Sequence, residues 1–83
     1  MISYSIEIFD KCSEELIKEI KIPNYQLDLV IEIMGFDTIE KESFIKGVGG
    51  FNVTKEQAVK LESLLMVEFH SEKYIIQIAG GEI

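Results

Sequence analysis

ISYSIEIFDKCSEELIKEIKI, residues 2–22, opens with strict alternation. Ile2, Tyr4, Ile6 and Ile8 fall on one side of an extended chain, and Ser3, Ser5, Glu7 and Phe9 on the other. A period of two predicts a strand with one buried and one solvated face. The polar run Asp10-Lys11-Cys12-Ser13 then lets the chain reverse, and a second apolar–polar segment runs to Pro23. Two readings of Glu14 to Ile22 compete. Leu16, Ile17 and Ile20 have helical spacing, and Ser13 before Glu14 and Glu15 resembles a capped first turn. As a strand, Leu16, Lys18, Ile20 and Ile22 share one face, while Glu15, Ile17, Glu19 and Lys21 share the other. Pro23 holds Ile22 extended. That leaves a helix only about two turns, which do not stand alone in water. The strand is preferred, so residues 2–22 read as a β-hairpin that needs further strands and a cover for its apolar face.

From Asn24 the period changes. Leu27, Val30, Ile31 and Met34 follow the i, i+3, i+4, i+7 rule of an amphipathic helix, with Asn24 as its N-cap and Asp28 near its positive end. Gly35 stands at the left-handed C′ position, and Phe36 supplies the closing apolar contact. Asp37 and Glu40 have capping-box spacing, which predicts a helical turn pinned by Ile39, Phe44 and Ile45. Gly47-Val48-Gly49-Gly50 breaks regular structure. Thr54-Lys55-Glu56-Gln57 is a capping box, and the helix it starts has Ala58, Leu61 and Leu65 on one face. Near Met66 the period returns to two: Leu65, Val67 and Phe69 oppose Met66, Glu68 and His70. Ser71-Glu72 reads as a hairpin turn, and Tyr74, Ile76 and Ile78 then alternate with Ile75, Gln77 and Ala79. Gly80-Gly81 ends that strand, and the tail frays. The order β-β-α-α-β-β predicts an α+β fold: a four-stranded antiparallel sheet of two hairpins, with short helices packed on one face.

With 83 residues the chain reads as one domain, residues 1–83, with a modest core. Ser3, Ser5, Glu7 and Asp10 interrupt the first apolar run, and no apolar segment nears the roughly 20 residues that span a bilayer. These features predict a cytoplasmic protein with no membrane contact. Cys12 is the single cysteine, so no intrachain disulfide forms and a reducing compartment fits. Acidic residues number 15 against 8 basic ones, a net charge of −7, and arginine is absent. Such a surface repels nucleic acid and anionic lipid and speeds encounter with basic partners.

The chemistry of catalysis has few footholds. Gly47-Val48-Gly49-Gly50 matches neither GxxxxGK[ST] nor GxGxxG. His70, the lone histidine, would have to carry any metal site or Ser/His/Asp triad by itself. Carboxylates are plentiful, but no pair is marked as an acid/base couple. The expectation is a protein that is not an enzyme and uses no cofactor or metal.

An ordered set of short motifs resembles the cloacin immunity protein family, the small acidic inhibitors of cloacin and the ribosome-cleaving colicins. Phe9-Asp10-Lys11 followed by Ser13-Glu14 resembles the family segment that ends its first strand. Ile33-Met34-Gly35 resembles a helix ending in an apolar residue and glycine, and Gly49-Gly50-Phe51-Asn52-Val53 resembles a G-x-F-D-V segment. Leu64 and Leu65 lie near a family leucine pair, and Tyr74-Ile75-Ile76-Gln77-Ile78 resembles the last strand. The chain departs from the family at Ile8, where relatives carry tryptophan, and in the tail Ala79-Gly80-Gly81-Glu82-Ile83. The resemblance implies a four-stranded antiparallel sheet with short helices that binds and blocks a cognate nuclease toxin domain, as in bacteriocin or contact-dependent growth inhibition systems. An acidic sheet face suits that partner, because a nuclease needs a cationic groove for phosphates. Alternation places Glu7, Phe9, Glu15, Glu19 and Glu68 on the outer sheet face, and these are the candidate toxin-binding residues. An acidic adaptor module or nucleic-acid mimic is the competing reading. The edge strands allow a homodimer without demanding one.

Overall fold

In the computed structural model, which describes residues 2–82, the elements follow in the order β1 (Ile2–Asp10), β2 (Leu16–Ile22), a 3-10 turn (Asn24–Gln26), α1 (Leu27–Met34), α2 (Thr38–Ile45), β3 (Gly50–Asn52), α3 (Lys55–Leu65) and β4 (Tyr74–Glu82). The four strands form one antiparallel sheet in the order β2-β1-β4-β3. The α+β architecture is the expected one, and the opening hairpin is present. β1 occupies the centre and pairs along its whole length with β4, from Ile2 opposite Glu82 to Asp10 opposite Tyr74.

Alternation in β1 sorts its side chains as the sequence predicts. Tyr4, Ile6 and Ile8 are buried together with Ile22 of β2 and Ile76 and Ile78 of β4. The helices cover this face with Val30 and Met34, Phe44, and Ala58 and Leu61. Phe44 is the hub: its ring lies 4.9 Å from Tyr4 and 5.3 Å from Phe36, and Phe36 in turn lies 4.8 Å from Phe51. Burial of an aliphatic or aromatic side chain of this size contributes about 1.5–3 kcal/mol, so these few residues hold most of the fold's driving force.

Helix ends follow the local chemistry. In both capping boxes the side chain and backbone exchange hydrogen bonds, Asp37 with Glu40 and Thr54 with Gln57. Gly35 ends α1 at φ 65° and leaves Phe36 to pack on Phe44. Asn24 does not cap α1. It opens the 3-10 turn, where the extended Pro23 precedes it and no side-chain cap forms.

Four further expectations need correction. Ile39 and Ile45 do not pin α2 to the core: both are exposed, and of the three expected anchors only Phe44 is buried. Residues 66–70 form no strand, so there is no second hairpin. Met66 turns left-handed at φ 59° to end α3, and the Glu62 carboxylate accepts the backbone N–H groups of Phe69 (2.7 Å) and His70 (3.0 Å), fastening the segment to α3 instead. The buried Phe69 gives the segment its apolar periodicity without any sheet pairing. The fourth strand comes from Gly50–Asn52, which begins on the last residue of the Gly47–Gly50 run read as a break and continues into residues assigned to no element. Within that run only Gly47 and Gly49 have positive φ, and from Gly50 the chain pairs with Ala79, Ile78 and Gln77 of β4. Finally, β4 does not stop at Gly80-Gly81, because Tyr4 pairs with Gly80 and Ser3 with Gly81. Gly80 is required there: a Cβ would meet the Tyr4 ring at 2.8 Å. Of the tail expected to fray after Gly81, Glu82 still pairs with Ile2, and Ile83 lies outside the described residues.

Candidate functional site: the uncovered sheet face

The odd-numbered residues of β1 point away from the helices, and cross-strand register arranges them with their neighbours into rows. At the turn end, Phe9 lies between Leu16 of β2 and Ile75 of β4. The next row runs Glu19, Glu7, Gln77, Asn52 across all four strands. The third contains Lys21, Ser5, Ala79 and Gly50. An apolar row thus borders an acidic one, which borders a row of small residues. Leu16 is 49% exposed although it is a leucine in a sheet.

Direct opposition of Glu7 and Glu19 is unfavourable for folding, since like charges across a strand pair repel. Lys21, on the same face of β2, relieves one of them: its Nζ lies 3.0 Å from Glu19 Oε1. Among the described residues Glu7 has no ion pair. At the far end of the acidic row, Gln77 Nε2 donates to Asn52 Oδ1 at 3.1 Å and fixes both amides.

The hairpin turn at the apolar end is tightly organised. Asp10 Oδ1 accepts the N–H groups of Cys12 (2.8 Å) and Ser13 (3.0 Å). These donors, Ser13's first, hold the Asp10 carboxyl below its ordinary range. Lys11 N–H donates to Lys73 O at 3.0 Å, which ties the turn to the start of β4. Glu14 takes a left-handed backbone at φ 60°, uncommon for a residue with a side chain. It lines a hollow of 260 Å³ with Phe9, Ile75 and Gln77. A second hollow, of 210 Å³, lies over the row of small residues.

Of the sequence-predicted residues, Glu7, Phe9 and Glu19 come together on this face. Glu15 does not join them: it precedes β2 in the turn, where its carbonyl accepts Asp10 N–H at 2.9 Å. Glu68 is off the sheet altogether. It sits in the segment after α3, beside Glu62, Ser63, Met66 and Val67, because the strand expected there does not form. Sequence reasoning missed Leu16, Ile75, Gln77, Asn52 and Glu14. The first four are neighbours of Phe9 and Glu7 only through cross-strand register, and Glu14 is set by its turn.

Elsewhere, Glu62 is held below its ordinary range by the N–H groups of His70 and Phe69. No group of three His, Cys, Asp or Glu side chains converges as a metal ligand set among the described residues. Within the same residues, no helix is long and apolar enough to cross a membrane.

Residues 3–79 match the family model of a domain of unknown function, DUF7683, and the chain belongs to that family. Comparison with curated proteins gives no match, and neither does comparison with solved structures.

Proposed function

We propose that this member of the DUF7683 family is a non-enzymatic immunity protein that binds a cognate antibacterial nuclease toxin domain, an RNase, and protects the cytoplasm of the cell that makes both. The observation that supports this reading is the uncovered sheet face, where the Leu16–Phe9–Ile75 row lies directly beside Glu7 and Glu19. Aromatic and aliphatic anchors ringed by charges are the composition of interface hot spots. A catalytic groove that holds RNA phosphates is cationic, so an acidic face competes for it and steers the encounter. The net charge of −7 adds a long-range attraction of the same sign. The motif resemblance supplies the toxin class. Phe9-Asp10-Lys11, its clearest segment, falls at the end of β1, beside the apolar row.

Co-expression with the protein encoded immediately upstream tests the proposal. Growth arrest by that protein alone, and its rescue by this chain, is the expected result. A harmless neighbour, or one that this chain fails to neutralise, contradicts it. For the purified pair, association should slow by tenfold or more, in order of magnitude, between low and high salt. A rate indifferent to salt removes electrostatic steering from the account.

A further inference from the structure

We propose that the 210 Å³ hollow over β1, β2 and the end of β4 is a subsite for one cationic side chain, arginine or lysine, of the protein partner. Its floor includes Ser3, Ser5 and Ala79, and Glu7, Glu19 and Lys21 line it as well. The hollow is below the roughly 300–1,000 Å³ of small-molecule pockets, so a single extended side chain suits it better than a cofactor. Ser5 is only 7% exposed, yet its hydroxyl makes no hydrogen bond to the described residues. No fully buried side-chain polar atom among them lacks a partner, so Ser5 Oγ must open into the hollow, where it is free to accept a donor. Beside it Glu7 has no ion pair among the described residues, while the Lys21–Glu19 pair is solvent-exposed and cheaply rearranged. A guanidinium or ammonium head brings several N–H donors and no acceptor. Here it would meet a carboxylate and a hydroxyl that the fold leaves unused, and it would relieve the Glu7–Glu19 repulsion.

This subsite rests on the reading of the sheet face as a partner surface, but its test needs no toxin. Amide NMR spectra of the full chain are recorded during titration with Nα-acetyl-arginine amide, Nα-acetyl-lysine amide and the neutral isostere Nα-acetyl-citrulline amide. Shifts centred on Ser5, Glu7, Glu19 and Ala79 are expected with the two cations and not with citrulline. The apparent affinity should be about tenfold weaker in Glu7→Gln. Shifts spread over all carboxylates, equal shifts with citrulline, or an affinity unchanged in Glu7→Gln would overturn the subsite. Growth rescue separates the two claims. A chain that takes up the cations at this hollow but rescues nothing keeps the subsite and loses the toxin reading. If Ala79→Leu and Glu7→Gln rescue as well as the wild type, the toxin reading stands and the subsite falls.

Discussion

On the inner face of the sheet, neighbours across the strands are Ile8 with Ile76, Ile6 with Ile78 and Tyr4 with Ile22, and every one of them is buried. On the outer face, Glu7 opposes Glu19, Phe9 lies between two exposed-side aliphatics, and Ser5 floors a hollow. The same four strands present both. Burial alone explains each inner residue, whereas core burial does not explain facing carboxylates or a half-buried phenylalanine on the face away from the helices. Where local choices conflict with stability, the conflict points to function.

The contrast can be broken most forcefully from the inner side. Phe44→Ala empties a site that is fully buried against Tyr4, Phe36 and Phe51. It should cost about 3–5 kcal/mol, read as a lower urea midpoint. Next comes Gly80→Ala, whose new methyl group collides with the Tyr4 ring and nears the Phe44 carbonyl, which is 3.1 Å from the ideal Cβ position. A loss of about 1–3 kcal/mol is expected by the same measurement. The outer face should answer with the opposite sign. Glu7→Gln removes a like-charge pair and should raise stability by about 0.2–1 kcal/mol, while weakening any basic partner. A destabilised Glu7→Gln would mean that the carboxylate serves the fold.

Acid probes two segments fastened by carboxylates, the hairpin turn at Asp10 and the segment after α3 at Glu62. Asp10 and Glu62 both have folded-state pKa values depressed by backbone donors. Their stabilising contribution is therefore present above the unfolded carboxylate values of about 4 and is lost as pH falls through the lower folded values. The stability lost in Asp10→Asn and in Glu62→Gln, relative to the wild type, should be constant from pH 7 to about pH 5 and shrink below about pH 4. A loss that stays the same at acid pH would contradict these hydrogen bonds.

How much of this was legible in the sequence depended on whether a feature is local. The alternation of Ile2 to Phe9, the two capping boxes and the Gly35 helix stop all announce themselves within a few residues, and all are present. Glu14 to Ile22 was ambiguous, and pairing with β1 resolved Leu16–Ile22 as a strand. The 66–70 segment misled because its alternation reflects Phe69 entering the core while Glu62 takes the backbone N–H groups that a strand would have offered a neighbour. Gly50–Asn52 was hidden because three residues carry no period, and only the free edge of β4 makes them a strand. The candidate site divided in the same way. Glu7 and Phe9 followed from one strand's alternation, but Leu16, Ile75 and Gln77 became their neighbours only when register was known.

The central claim is that the partner is met by the sheet's outer face and not by the helical layer. Its most direct test is the affinity for the upstream-encoded protein of two alanine variants, Phe9→Ala and Ile39→Ala. Ile39 is a 76% exposed apolar residue on α2 and so controls for loss of exposed apolar surface away from the sheet. Phe9→Ala should lose about 2 kcal/mol or more of binding, a Kd raised roughly thirtyfold, and Ile39→Ala should bind as the wild type does. Loss of affinity at Ile39 with none at Phe9 would put the interface on the helices and contradict the account.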